Sequence, residues 1–152
     1  MKNLVLAAAM IAGLFAFSVP AQAVLPLALD GSDYNVFMFC SDDAGDYCSK
    51  GDIKNDKFIF ENDNFMIDSF DGGVLGVGGS GEFNENGLSF DATYEVVPEE
   101  LDDKYTFDVQ GFNIIDTVLV GSMAIEYYTW EVLSFGYEKE DEATAYFFAV
   151  KQ

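Results

Sequence analysis

The alternation of apolar and polar residues in one segment restricts this chain to β structure. Within residues 88–96 every second residue is apolar, and the residues between them are Ser89, Asp91, Thr93 and Glu95. Because successive side chains of a strand point to opposite faces of a sheet, this period of two predicts a strand with one buried and one solvated face. Residues 105–109 repeat the pattern, and neither segment has the 3.6-residue period of a helix.

Shorter segments rich in β-branched and aromatic residues predict further strands. These segments are residues 34–39, 57–61, 65–70, 81–84, 113–120, 123–135 and 144–150. Eight or nine strands that follow one another without helices favour an all-β fold. We predict an antiparallel up-and-down, or meander, barrel of about eight strands, with a two-sheet β-sandwich as the alternative.

Clusters of Asn, Asp and Gly between these segments predict turns. The pair at residues 86–87, Asn-Gly, is the strongest hairpin signal because both residues tolerate a positive φ. Residues 120–122 and 138–142 are further predicted turns. A helical turn is predicted only at residues 98–101, which begin with Pro.

Residues 1–23 have the three parts of a secretory signal peptide. Lys2 gives a positive start, residues 4–17 form an apolar run, and Ala21 and Ala23 stand at the small-x-small positions of a cleavage site. The apolar run is too short to span a bilayer comfortably. We predict export to a periplasmic or extracellular location, cleavage after Ala23, and one β-barrel domain over residues 24–152.

Two cysteines, Cys40 and Cys48, flank a short acidic segment. In an oxidising compartment an isolated pair at loop-like spacing predicts a structural disulfide, with free or redox-active thiols as the alternative. The spacing does not match the Cys-x-x-Cys motif of thioredoxin-like redox sites.

The charge composition excludes several classes of function. Seven lysines stand against 27 acidic residues, for a net charge of −20, and the chain has no His and no Arg. Serine–histidine triads, His-ligated metals and arginine phosphate clamps are therefore excluded. We expect no catalytic residues, no enzyme activity and no cofactor. Nucleic acid and anionic lipid headgroups repel such a surface, so neither nucleic-acid binding nor membrane insertion is expected.

The acidic surface has two interpretations, a hydrated surface that favours solubility and a surface that binds cations or is adapted to salt. The best calcium candidate is a group of aspartates near the disulfide, although their spacing fails the EF-hand pattern. The group consists of Asp42, Asp43, Asp46 and Asp52. A solvated acidic loop is favoured over this irregular calcium site, so no metal site is predicted.

Residues 76–81 formally match the Gly-x-Gly-x-x-Gly pattern of dinucleotide-binding loops. That loop requires a helix immediately after it, whereas a predicted hairpin follows here. The glycines are therefore interpreted as a place where a strand bends or where two backbone segments come close.

Six aromatic residues on successive predicted strands share the positions expected to face the barrel interior. They are Phe90, Tyr94, Tyr105, Phe107, Tyr128 and Trp130. One interpretation is a packed interior, because eight strands enclose a space that side chains nearly fill. The other is an aromatic-lined pocket for one apolar or ring-bearing small molecule.

This exported, disulfide-bearing chain of antiparallel strands resembles the small lipocalin-like (calycin-type) β-barrels. The resemblance is carried by strand spacing over residues 34–150, whereas the Gly-x-Trp motif of lipocalins is replaced by Gly31-Ser32-Asp33-Tyr34. It implies ligand carriage but transfers no binding residue.

Three functions follow from these patterns. The first is an exported binding module for an apolar or aromatic small ligand. The second is a non-catalytic structural or interaction protein of the cell exterior with a filled barrel. The third is an outer-membrane barrel, which is disfavoured because the outward positions Ser89, Asp91, Thr93 and Glu95 are polar.

Overall fold

Eight strands form one closed, barrel-like sheet. A computed structural model describes residues 28–70, 79–86, 88–97, 103–115 and 117–152. The strands are β1 Ser32–Cys40, β2 Ile53–Glu61, β3 Asn64–Ile67, β4 Ser80–Asn86, β5 Ser89–Val96, β6 Asp103–Ile115, β7 Val118–Glu131 and β8 Gly136–Lys151. Each strand pairs antiparallel with its sequence neighbour, and β1 pairs with β8 to close the ring. The predicted all-β meander is confirmed, and the two-sheet sandwich alternative was wrong.

The ring is uneven around its circumference. β7 and β8 are paired over most of their length, whereas β3 and β4 are joined at a single residue pair, Asn64 with Glu82. The β7–β8 hairpin also extends beyond β1, whose pairing with β8 ends at Cys40 opposite Ala145. One end of the molecule is therefore a projecting part of the sheet rather than a closed rim.

Two predicted boundaries were wrong around the β6–β7 connection. The strand predicted at residues 113–120 spans the turn between Ile115 and Val118, and the turn predicted at residues 120–122 lies inside β7. Gly121 is not a turn residue, because it pairs with Gly111 on the neighbouring strand β6. A Cβ atom on Gly121 would lie 2.0 Å from the carbonyl oxygen of Gln110, so this glycine permits close approach of two strands.

The acidic segment at residues 138–142 is also strand rather than turn. It belongs to β8 and contains a register shift, since Tyr127 pairs with Asp141 and Tyr128 pairs with Lys139. Within the described parts of the chain, this stretch pairs only with β7, which leaves it as an exposed strand edge. Charged side chains and a bulge are typical protections of such edges against pairing with another chain.

Several sequence predictions concern residues outside those that the structure describes. The signal peptide at residues 1–23 and the helical turn at residues 98–101 are among them. Of the glycine-rich segment, residues 79–81 are described. A Cβ atom on Gly79 would lie 2.1 Å from the Tyr94 ring, which fits the interpretation that these glycines allow close approach of backbone and side chain.

The predicted disulfide between Cys40 and Cys48 is confirmed. The Cα atoms of the two cysteines are 5.9 Å apart, and both residues are buried. The bond closes a short loop at the end of β1, and Ala44 and Cys48 exchange two backbone hydrogen bonds inside that loop. We refer to residues 41–52 as the end loop.

Removing the disulfide should destabilise the barrel while leaving its topology intact. The double variant Cys40→Ala, Cys48→Ala loses the constraint on a short loop of the unfolded chain, which contributes about 2–3 kcal/mol. Urea unfolding followed by circular dichroism should show this loss in the free energy of unfolding. Thiol titration of the unfolded, unreduced wild-type protein should detect no free thiol, and an unchanged midpoint in the variant would contradict the expectation.

Candidate functional site

Four of the six residues predicted to face the barrel interior do so. Phe90, Tyr94, Tyr105 and Phe107 are buried and alternate with polar outward residues on β5 and β6. Their rings approach one another, with 6.0 Å between the centroids of Tyr94 and Phe107. The period of two in the sequence was sufficient to place these residues.

The other two predicted interior residues, Tyr128 and Trp130, were placed on the wrong face. The buried positions on β7 are Leu119, Met123 and Ile125, so the even-numbered residues point outward. Tyr128 donates a hydrogen bond to the Glu126 carboxylate, and Trp130 packs edge-on against Tyr137 of β8 with 37% of its surface exposed. The sequence does not show which side of β7 faces inward, because apolar residues occupy both of its faces. In the structure, only odd-numbered residues of β7 are buried in the core.

Two aromatic residues that the sequence analysis missed fill the end of the barrel. Phe70 lies in the turn after β3, where its backbone N–H donates to the Ile67 carbonyl. Tyr47 comes from the end loop and stacks on Phe70 with 4.9 Å between the ring centroids. Both residues are buried. Tyr47 lies in none of the predicted strands. Phe70 ends the strand predicted at residues 65–70, but β3 ends at Ile67, so that predicted boundary was wrong and a turn residue delivers the Phe70 ring into the barrel.

Phe70 occupies the space between the predicted ligand-binding residues. Its ring centroid lies 5.5 Å from that of Tyr105, 5.5 Å from that of Phe107 and 6.4 Å from that of Tyr94. Tyr47 lies 5.1 Å from Phe107 by the same measure. These distances are typical of packed aromatic pairs, so protein rings stand where a ligand would stack.

The opposite end of the interior is packed in the same way. Phe60 lies within 5.1–5.4 Å of three other rings, those of Phe65, Phe83 and Phe90. Phe58 connects this group to Phe147 of β8, with ring centroids 5.2 Å apart. The described interior is therefore a continuous cluster of ring contacts that runs along the barrel.

A carboxylate holds the Tyr47 ring in place. Asp56 of β2 accepts hydrogen bonds from the Tyr47 hydroxyl at 2.9 Å and from the Ser69 hydroxyl at 2.6 Å. Burial, and secondly the charge of Asp56, hold the pKa of the Tyr47 hydroxyl well above its usual value. This hydrogen bonding satisfies a polar group that would otherwise be costly to bury, and it ties the end loop to both β2 and the turn after β3.

The structure does not gather the four aspartates considered for calcium into one group. No group of three or more acidic or cysteine side chains in the described residues is arranged to hold a metal ion. The Asp42 carboxylate pairs with the Lys50 ammonium at 3.3 Å, and the Asp43 carboxylate accepts the Lys50 backbone N–H at 2.8 Å. Asp46 and Asp52 instead engage neighbouring segments through their backbone groups.

An open groove of about 430 Å³ lies beside the end loop. It is lined by Cys40, Asp46, Tyr47, Ser49, Asp52, Ile53, Lys54 and Asn55. The Lys54 ammonium sits 3.5 Å from the Tyr47 ring centroid and donates to the Tyr47 carbonyl at 3.1 Å. Burial lowers the pKa of Lys54, partly offset by Asp56. Because its lining is largely polar, this groove does not have the chemistry of an apolar ligand pocket.

A broad part of the outer surface carries no charge. The outward residues on four adjacent strands form this surface, which we call the charge-free face. It consists of Gln110 and Phe112 on β6, Val118, Val120 and Ser122 on β7, Tyr146, Phe148 and Val150 on β8, and Asn35, Phe37 and Phe39 on β1. The chain has 27 acidic residues, yet none of them is among the outward residues of this face.

One row of residues crosses the charge-free face in register. Phe37 is paired with Phe148, Phe148 with Val120, and Val120 with Phe112. Phe112 is 57% exposed, Phe37 is 49% exposed and Phe148 is 37% exposed. Single exposed apolar residues are ordinary, whereas a contiguous exposed apolar patch marks a site of interaction.

The outer surface of β5 has the opposite character. Its outward residues Asp91, Thr93 and Glu95 are polar and exposed, and they face acidic or polar partners on β4 and β6. A second apolar region lies at the tip of the β7–β8 hairpin, where Val132, Leu133 and Phe135 are largely exposed. Acidic residues of β8 separate that tip from the charge-free face.

Comparisons with known proteins give no family. No protein-family model, curated protein or solved structure matches this chain. The resemblance to lipocalin-like barrels therefore stays a prediction. Among the described residues, no helix is long and apolar enough to cross a membrane.

Alkaline pH should destabilise the barrel through the tyrosines at its end. Burial, and secondly a hydrogen bond to Asp103, raise the pKa of Tyr127 to about 12. The folded protein therefore holds this phenolic proton more tightly than the unfolded chain, whose tyrosines ionise near pH 10. The associated stability is present below pH 10 and is lost as the pH rises from about 10 to about 12.

The variant Tyr127→Phe should reduce this pH dependence. Urea midpoints measured across that range should fall less steeply in the variant than in wild type. Trp130→Phe, which changes an aromatic residue of the same strand that has no ionisable group, is the matched control and should keep the wild-type slope. Equal slopes in wild type and Tyr127→Phe would count against the expectation.

Proposed function

We propose that this protein is an exported, non-catalytic interaction module. Its filled barrel is a rigid scaffold, and its charge-free face is the binding surface. The observation that carries the proposal is the position of Phe70, whose ring stands among Tyr94, Tyr105 and Phe107 where a carried ligand would otherwise lie.

The same contacts weigh against the carrier interpretation. A small-molecule site is a pocket of several hundred cubic ångströms with mostly apolar walls. The described interior is instead occupied by ring-to-ring contacts, and the groove beside the end loop is open and polar. To open an interior pocket, the rings of Phe70 and Tyr47 would have to move out of the barrel. This movement would break the hydrogen bonds that Tyr47 and Ser69 donate to Asp56.

The outer surface supports the other half of the proposal. An exposed row of aromatic residues costs solubility, and other described parts of the barrel surface carry acidic residues, such as Asp91 and Glu95 of β5. A scaffold that used its whole surface only for hydration would place charges there too. The absence of charge from the face is what an apolar docking surface requires.

Export is part of the proposal and has two supports. The first 23 residues have the pattern of a signal peptide. The disulfide between Cys40 and Cys48 fits an oxidising environment, since such bonds are rare in the cytosol.

Two phenylalanines of the same strand provide a matched test of the scaffold. Phe107 is buried in the ring cluster and Phe112 is exposed on the charge-free face, both on β6. Phe107→Ala should lower the free energy of unfolding by about 3–5 kcal/mol because it leaves a cavity in a packed core. Phe112→Ala should change it by less than about 1 kcal/mol. Chemical denaturation of both variants gives the comparison.

Ligand titration completes this test. Calorimetric titration of the wild-type protein with oleate and with naphthalene should show no saturable binding in the barrel. The carrier interpretation predicts instead that the wild-type protein binds one ligand per chain. Phe112→Ala should then retain this binding, whereas Phe107→Ala should alter it and lose little stability. That result would overturn the proposed scaffold.

A further inference from the structure

We propose that the charge-free face packs against the same face of a second copy of this chain, forming a twofold-symmetric dimer. This inference rests on the proposed function, because it names the partner of the proposed binding surface. It is carried by the in-register row of Phe37, Phe148, Val120 and Phe112 together with the net charge of the chain.

The net charge restricts where two copies can meet. Two molecules of charge −20 repel one another, and most contacts between their surfaces would bring carboxylates together. The charge-free face is the described surface on which β1, β8, β7 and β6 present no carboxylate outward over three successive rows. Two copies can therefore bury this face without leaving a charge unpaired.

The charge distribution also disfavours two other kinds of partner for the charge-free face. A basic protein would be attracted to the acidic surfaces, such as β5 with Asp91 and Glu95, and would gain nothing from a face without charge. An anionic lipid surface would be repelled by the net charge of −20. A second copy offers an apolar row of the same shape and no opposing charge.

The geometry of the face suits a symmetric contact. Adjacent strands are about 4.8 Å apart, so the row across four strands extends over roughly 14 Å between its outer Cα atoms. Phe148 lies in the interior of this row, with Phe37 on one side and Val120 on the other. Because the closed ring of strands is convex, Phe148 and Val120 in the middle of the row make the central contact with the second copy, and Phe37 and Phe112 lie at its two sides.

The available area fits a reversible dimer. Phe37, Phe112, Tyr146 and Phe148 are 49%, 57%, 49% and 37% exposed. With about 200 Å² for a whole aromatic side chain, these four together expose roughly 400 Å². A stable interface buries about 800 Å² on each partner, so the rings supply half of this and the aliphatic neighbours add to it. We expect a dissociation constant in the micromolar range rather than a permanent dimer.

Sedimentation velocity across about 1 to 100 µM protein tests the proposal. The protein should be purified from the periplasm of a bacterial host that expresses the full chain. The wild type should shift from monomer to dimer over this range. Raising NaCl from about 0.1 M to about 1 M shortens the screening length from ~10 Å to ~3 Å and should strengthen the dimer, whereas a dimer held by ion pairs would weaken.

Phe148→Glu is the decisive variant. It places a carboxylate within the face on each copy and should weaken the dimer at least tenfold. Thr93→Glu adds the same charge on the exposed surface of β5 and should leave dimerisation unchanged. Phe37→Ser removes a ring without adding charge and should weaken the dimer less. Near-ultraviolet circular dichroism checks that each variant keeps the wild-type packing.

Binding of the neutral dye Nile red separates failure of the dimer from failure of the proposed function. A monomer at every concentration that binds the dye, and loses this binding in Phe148→Glu, would overturn the dimer but keep the apolar docking surface. A monomer without such dye binding would overturn both. A dimer unaffected by Phe148→Glu would place the interface elsewhere and overturn the inference. Binding of monomers to phosphatidylcholine vesicles that Phe148→Glu abolishes would assign the face to lipid instead.

Discussion

The packing of aromatic rings inside the ring of strands is the interaction on which the rest of this structure depends. An eight-stranded barrel encloses a space just wide enough for side chains to fill, and here phenylalanine and tyrosine fill it. Each strand contributes alternate residues, but the strands alone leave the end of the barrel unfilled. Tyr47 and Phe70 complete that end, and Asp56 fixes them by accepting hydrogen bonds from Tyr47 and from Ser69. The disulfide between Cys40 and Cys48 anchors the loop that carries Tyr47.

Because the described interior is filled, the binding surface that we propose lies on the outside of the barrel. The outer surface is divided, since β5 presents carboxylates whereas β6, β7, β8 and β1 together present the charge-free face. In our proposal the acidic residues serve two purposes. They keep a protein with exposed aromatic rings in solution, and on β8 they protect a strand edge that pairs only with β7 among the described residues.

The long strand β7 shows how weak alternation in a sequence leads to a wrong prediction of which residues face the interior. Its inward residues Leu119, Met123 and Ile125 and its outward residues Val118 and Val120 are all apolar, so the sequence alternates only weakly. Without clear alternation, the sequence does not indicate whether the odd-numbered or the even-numbered residues of the strand face the interior. An error of one residue then exchanges the two faces. That error placed Tyr128 and Trp130 in the interior. The ambiguity has a physical cause, because β7 crosses the charge-free face and is apolar on both sides.

The sequence by itself determined the all-β meander, the disulfide and the inward positions of Phe90, Tyr94, Tyr105 and Phe107. These features depend on local alternation or on a single pair of residues, and both can be recognised in a linear chain. The tertiary structure alone decided that Phe70 stands among those rings and that Phe37, Phe148, Val120 and Phe112 form one row. Those contacts join residues far apart in the chain. They depend on the register between strands, which the sequence of any one strand does not contain.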